Sequence, residues 1–390
     1  MKLNDYFVDL HIHIGRDIFN DPVKIAASNK LTLTNVLKEA SRRKGIDIVG
    51  IIDCHAPAVQ TEIENLLHEG VAKEIADGGI AFEQVTLIMG SEIEVYDEHC
   101  KGPIHVLCYF PTLHSIKQFS EWLVGKMKNI TLSSQRYYGT GKALQLKVKE
   151  LGGLFIPAHV FTPFKSMYGK GVKDTLTEVF DISMIDAIEL GLSSDSYMAD
   201  QIQELREFTY LSNSDSHSLA KIGREYQKMT LLEPSFSELK KALYEEDGRA
   251  VKANYGMNPK LGKYYTTVCQ KCYASVTYGT KQCPECGSTK IINGVYDRIQ
   301  ELATDGEKEM KRPTYYYQVP LDYLPGLGAK TYQKLIDAFE TEMNIIHHVT
   351  KGELLNVVSE DIANMIINNR HGLQHVEAGG GGKYGKIKHK

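Results

Sequence analysis

Histidines and carboxylates recur at one place in the local pattern of this sequence, the carboxyl ends of short apolar runs. His11 and His13 close YFVDLHIH, Asp53 and His55 follow IDIVGII, and Glu92 follows VTLIMGS. His159 ends GGLFIPAH, while Asp215 and His217 follow FTYLSNS. His105 differs in standing at the start of its run, IHVLCYF. Imidazoles and carboxylates without thiolates suit Zn²⁺, Mn²⁺ or Fe in an open site, not a closed structural zinc site. The His-x-His spacing of 11 and 13 projects both rings from one face of a strand, where they can grip one ion, and Asp215 and His217 share it. A carboxylate such as Glu92 can bridge two cations, and centres of that kind hydrolyse phosphate esters. A lone histidine would carry little weight. The repeated placement is what points to a site.

Residues so far apart in the chain can meet only if the runs are strands whose ends converge. Between the runs lie amphipathic stretches that predict helices at 32–45, 115–127, 199–208 and 235–247, with Gly45 as a helix stop. This alternation, from Tyr6 to Ala253, argues for an α/β fold built on a parallel sheet or barrel, in which reactive groups gather where the strands end. The connection at 160–180 is long enough to be functional, with Lys165 and Lys170 as candidate phosphate contacts.

The length of 390 residues suggests two or three domains. With 42% hydrophobic and 24% charged residues the chain is an ordinary globular protein, not a disordered, collagen-like or disulfide-stapled one. A net charge of −4 excludes a uniformly basic nucleic-acid binder, although residues 260–390 are net positive and the first 259 net negative. No run is apolar enough to span a bilayer and the start lacks a leader pattern, so a cytoplasmic protein without membrane contact is expected. In a reducing compartment Cys269, Cys272, Cys283 and Cys286 (CQKC and CPEC) read as four thiolate ligands of a structural Zn²⁺. LPGLGAKTYQKLIDAF (324–339) resembles the helix-hairpin-helix motif of many DNA repair proteins, with Gly326 and Gly328 before a helix whose N-terminus can approach a phosphate and Lys330 adding charge. An ordinary inter-helical turn is the rival for that motif. The tail GGGGKYGKIKHK offers Lys383 and Lys386 to phosphates and Tyr384 to a base, or is simply a solvated tail. The expected division is a metal-dependent phosphoesterase domain at 1–254, a zinc module at 255–296 and a helical DNA-binding region at 297–390.

DLHIH, IDCHAP, GSEIEV, HVLCYF, PAHVFTP and SNSDSHS, in this order, resemble the motifs of the PHP (polymerase and histidinol phosphatase) superfamily over about residues 1–250. The resemblance implies a distorted (β/α)7 barrel with two or three divalent metals (Zn²⁺, Mg²⁺ or Mn²⁺) that hydrolyses phosphoesters. It implies His11 and His13 as opening ligands with Asp215 on the same metal, and Glu92 as the bridging carboxylate. His105 and His159 would hold the second metal, and His55 and His217 a third. Two departures stand out: Cys54 separates Asp53 from His55, so either can be the ligand, and Asp17 is the nearest match to a ligand that follows the opening pair. The order of parts resembles the endonuclease Q family, whose members nick DNA 5′ to hypoxanthine, uracil, xanthine or an abasic site. That implies a metal-dependent repair endonuclease with His11, His13, Glu92 and Asp215 at its catalytic centre, and DNA containing deaminated bases as partner. The alternatives are a PHP-type phosphatase or phosphodiesterase for a small molecule, and a non-enzymatic DNA-binding protein with a decayed metal site.

Overall fold

The structure is a computed structural model that describes residues 2–304, 311–374, 376, 377, 379 and 385–387. Five strands lie side by side in chain order: β1 (Asn4–Ile12), β2 (Ile48–Ile51), β3 (Val85–Val95), β4 (Ile104–Phe110) and β5 (Leu154–Pro157). β1, β2 and β3 are parallel, whereas β4 runs antiparallel to both β3 and β5. Two short parallel strands, β6 (Ile188–Glu189) and β7 (Tyr210–Leu211), continue the array. Val160 N–H donates to the Glu189 carbonyl at 3.0 Å, and Ser216 N–H to that of His11 at 3.0 Å, so the array returns to β1. The result is a distorted barrel. The antiparallel β4 explains why His105 begins its run. The start of β4 lies at the same end of the barrel as the close of its neighbours.

Strand periodicity sorts the core. Val8, Leu10, Ile48, Ile88, Leu107 and Leu154 pack in one apolar cluster, and their neighbours Val49, Ile51, Leu87, Met89, Val106 and Phe155 in another, as alternate faces require. The β1–β2 register shifts between Asp9 and Ile12, and such an irregularity re-aims the side chains beside it, here those of His11 and His13. Helices Leu33–Glu39, Leu113–Leu123, Gly141–Glu150 and Phe236–Leu243 start from hydroxyl N-caps at Thr32, Thr112, Thr140 and Ser235. The first widens into a turn at Ala40–Lys44, which Gly45 stops with φ 74°. The expected helix at 199–208 is instead a short helix, Ser196–Ala199, and a 3-10 turn, Gln203–Leu205. Asp200 between them keeps helical backbone, its N–H donating to the Ser196 carbonyl at 3.0 Å, while Tyr210 and Arg312 engage its carboxylate.

Beyond the barrel, β8 (Tyr226–Leu231) pairs antiparallel with β1 and with β9 (Ala250–Gly256). β10 (Thr314–Tyr317) then adds parallel to β9. The region after 297 is therefore not helices alone, because its aromatic run TYYY completes the main sheet. Tyr316 stacks on Tyr255 with ring centroids 5.1 Å apart. Helices Ala329–Phe339, Glu342–His347 and Glu360–Arg370 follow. Gly326 turns with φ 78° and Gly328 caps the first of them, but a single 3-10 turn, Leu321–Tyr323, precedes the glycines where a helical hairpin would place a helix. The cysteine segment is closed by a small antiparallel pair, Val268–Cys269 with Ile291–Ile292. No described helix is long and apolar enough to cross a membrane.

Candidate metal centre

Seven of the expected ligands meet at one end of the barrel. His11, His13 and Glu92 form one group, His13, Asp215 and His217 a second, and Glu92, His105 and His159 a third, with the donor atoms of each group within 4.8 Å of one another. Glu92 links two groups. Its Oε1 lies 2.8 Å from His105 Nδ1 and 3.5 Å from both His11 Nε2 and His159 Nε2, and its Oε2 lies 3.7 Å from His13 Nε2. Asp215 Oδ1 is 3.5 Å from both His11 Nε2 and His13 Nε2.

The protein holds one nitrogen of each opening imidazole and leaves the other. His11 Nδ1 donates to Glu189 Oε1 at 2.9 Å, and His13 Nδ1 to Asp53 Oδ2 at 3.1 Å. His159 Nδ1 meets the Thr162 hydroxyl at 3.1 Å, and His217 Nδ1 donates to the Asp215 carbonyl at 3.0 Å. Orienting bonds of this kind select Nε2 as the metal-facing atom. The Nε2 atoms of His11 and His13 are buried without a hydrogen-bond partner, which costs about 1–3 kcal/mol each unless a Lewis acid engages them. The donor set therefore fits divalent cations.

Electrostatics keep the carboxylates ionised. Burial alone would raise Glu92, yet the charges of His105 and Lys24 hold it well below the usual range. Burial likewise opposes ionisation of Asp215, and the neighbouring His11 and His13 outweigh it. Strain is concentrated here too. His159 and Asp215 adopt left-handed backbone, φ 31° and 46°, at about 1 kcal/mol or more each. Arg224 braces the second of these, donating from Nε to the Ser214 carbonyl at 2.6 Å and from Nη2 to that of Asp215 at 3.3 Å. Gly191 admits the first, since a β-carbon there would stand 2.7 Å from that of His159.

Three sequence candidates are not brought into these groups. His55 uses both nitrogens on protein, accepting from the Ser91 hydroxyl at 2.8 Å and donating to the Leu132 carbonyl at 3.2 Å. Asp53 accepts from His13 and from Ile14 N–H, an orienting position. Asp17 accepts from the Phe19 and Asp21 N–H groups in its own loop. Conversely, spacing did not expose Glu189, Lys24 or Arg224. Lys24 Nζ lies 3.3 Å from Glu92 Oε2 and 2.6 Å from the Ser134 hydroxyl. Lys165 is paired with Glu94 at 2.8 Å, and Lys170 lies over the Phe164 ring.

A small cavity of about 270 Å³ opens on Lys24, Glu92, Asp215 and His217. Beside it lies one of about 620 Å³, lined by Thr162, Ser193, Arg224, Met257, Tyr264 and Tyr323, with Lys386 at its edge. Thr162 belongs to both walls. Farther off, the sulfurs of Cys269 and Cys286, and of Cys272 and Cys283, are 3.6 Å apart, and all four lie within 4.8 Å. Tetrahedral thiolates at the usual Zn–S length stand about 3.8 Å apart, so the cluster fits a structural Zn²⁺. Gly326, Gly328 and Lys330 are exposed, and a β-carbon on either glycine would meet open space. Lys383 and Tyr384 lie outside the described residues.

No family model matches the chain. It is 51% identical over 382 residues to the uncharacterized protein YqxK of Bacillus subtilis, spanning 98% of this chain and 99% of that one. The lesion-specific endonuclease PfuEndoQ from Pyrococcus furiosus superposes with a TM-score of 0.85 at 32% identity, over 99% of this chain and 95% of that chain. An Endonuclease Q complex with a 27-mer duplex substrate, its abasic lesion at the active site, gives 0.84 at 31% identity, over 99% of this chain and 97% of that one.

Proposed function

The chain belongs to the endonuclease Q family, and from that premise we propose that it nicks DNA on the 5′ side of deaminated bases (hypoxanthine, uracil or xanthine) and of abasic sites. Membership makes it a metal-dependent DNA endonuclease, a phosphodiester hydrolase acting on damaged DNA. The observation that carries the reading is Glu92, one carboxylate set between the His11–His13 group and the His105–His159 group. His11, His13, Glu92, His105, His159, Asp215 and His217 would hold the cations. Once bound, these supply Lewis-acid stabilisation of charge on the phosphoryl oxygens and acidify the attacking water.

The chain's own residues do the rest. Glu189 and Asp53 fix the rings of His11 and His13, Arg224 fixes the Asp215 backbone, and Lys24 presents an ammonium at the mouth where a phosphate must enter. Telling a deaminated base from an intact one means reading its hydrogen-bonding edge, which extruding the nucleotide from the stack exposes. The cavity of about 620 Å³ suits an extruded base, with Tyr264 and Tyr323 as aromatic walls and Ser193 and Arg224 as polar edges.

The test is cleavage of labelled duplexes carrying one hypoxanthine, one uracil, one abasic site or no lesion, with Mg²⁺ or Mn²⁺. A single nick 5′ to each lesion is expected, absent from the intact duplex and from Asp215→Ala. Equal cutting of intact DNA would remove the lesion claim. Hydrolysis of a small phosphate ester with no DNA cut under any metal would favour a small-molecule phosphatase.

A further inference from the structure

Between β1 and the first helix the chain makes a tight hairpin that begins and ends at the metal centre. It leaves two residues after His13, with Gly15 N–H donating to Leu31, and returns at Lys24, whose side chain reaches Glu92. Its stem is a bridge between Arg16 and Pro22. Asp17 organises the tip: its Oδ1 accepts from Phe19 N–H and Asp21 N–H, each at 2.9 Å, and its carbonyl accepts from Asn20 N–H at 3.0 Å. Asn20 turns with φ 65°. Arg16 donates to the Asn20 carbonyl at 3.2 Å and to Asn29 Oδ1 at 2.9 Å.

This bracing supports side chains that should not be bare. Phe19 is 69% exposed, Ile18 40% and Ile25 77%. Phe19 and Ile25 stand on the rim of an open groove of about 580 Å³, with Pro22, Pro57 and Leu132. Large apolar groups held rigidly in water mark a contact surface. The tip, DIFNDP, contains two acids and no lysine, so it does not offer a track for phosphates. What it offers is an aromatic ring at the tip of a hairpin whose two ends, just after His13 and at Lys24, stand at the metal centre.

We propose that Phe19 is a wedge that enters the base stack of duplex DNA and fills the gap left by the extruded nucleotide. The inference rests on the reading of the chain as a lesion endonuclease. Apolar wedges inserted at a base step stabilise unstacked, bent DNA, and stacking on an aromatic ring tolerates any base. On this account Asp17 is a positioning residue for the wedge.

The test compares two substrates carrying the same lesion, a fully paired duplex and a single strand that needs no unstacking. Phe19→Ala should slow the duplex about tenfold more than the single strand, and Phe19→Trp should restore most of the difference. Indole emission from Phe19→Trp, read against the chain's one native tryptophan, Trp122, should be quenched by damaged duplex more than by intact duplex. Equal losses on both substrates, or no loss on either, would overturn the wedge. If the unaltered protein cuts neither substrate, the endonuclease reading itself fails and the wedge falls with it.

Discussion

An imidazole of the metal centre is well aimed when something else holds its far nitrogen, and Glu189 does this for His11. Burial opposes the Glu189 charge, but the neighbouring His11 keeps it ionised, so the pair is a carboxylate–imidazole unit aimed at the cations. Glu189→Gln keeps the size and removes the charge. It should cost about 10–100-fold in metal affinity or activity, read as a rightward shift of cleavage rate against Mn²⁺ concentration with an unchanged unfolding midpoint. An unshifted metal curve would reduce Glu189 to a packing residue. The clustered histidines and carboxylates were legible in the sequence because their placement at the ends of apolar runs repeats. Glu189 closes its run, IDAIELG, as His159 closes GGLFIPAH, yet an orienting carboxylate has no signature until its imidazole is known. Asp17 stands apart from the clustered ligands. Its type and place near His13 suit a ligand, but two local N–H groups claim its Oδ1 for the hairpin. At His55, likewise, spacing cannot reveal that Ser91 and Leu132 occupy both nitrogens.

At the scale of elements, parallel strands with interleaved helices were legible from periodicity, while the β9–β10 seam was not, since TYYY is too short to outweigh the helical pattern around it. The seam encloses Glu225, immediately before β8. Its Oε1 accepts from Met257 N–H at 2.9 Å, and its Oε2 is buried without a partner. A β-carbon on Gly256 would overlap the Tyr315 hydroxyl and approach the Glu225 carboxyl at 3.2 Å, so glycine ends β9 for want of room. Burial pushes Glu225 up to about 8, with Glu189 and Asp9 adding repulsion and Arg224 opposing it. The folded state therefore holds a proton that the unfolded chain, titrating near 4.5, releases. Stability from this group is complete below about pH 4.5 and is lost as pH rises towards 8, by an amount on the order of a few kcal/mol. Glu225→Gln, neutral throughout, should flatten the fall in urea midpoint between pH 5 and 9. Parallel curves for the two proteins would show that Glu225 is ionised in the fold.

At the scale of the whole molecule, many contacts join the back third to the barrel, and three of them show how. β10 extends the main sheet through β9, and Arg298, from the helix after the cysteine segment, donates to the Tyr168 carbonyl at 3.0 Å in the loop beyond His159. The third joint is a buried ion pair. Lys44 Nζ lies 2.5 Å from Glu342 Oε2 and donates to the Ala220 carbonyl at 3.0 Å, while Glu342 also accepts from Leu321 N–H and the Tyr332 hydroxyl. The charge asymmetry of the sequence suggests a separate appendage, but these joints are made by single residues distant in the chain, which composition cannot pair. Removing residues 255–390 would also strip the cover from β9, so a point change is the sharper probe. Lys44→Ala strands a buried carboxylate and should cost about 3–5 kcal/mol in unfolding free energy. Adding Glu342→Gln to Lys44→Met leaves a neutral acceptor for Leu321 and Tyr332 and should recover most of that loss. Such recovery is what a desolvated pair demands, because the single change is costly mainly through the charge it abandons. If the double variant unfolds as early as Lys44→Ala, the joint depends on the lysine's contact with Ala220 and not on the pairing of charges.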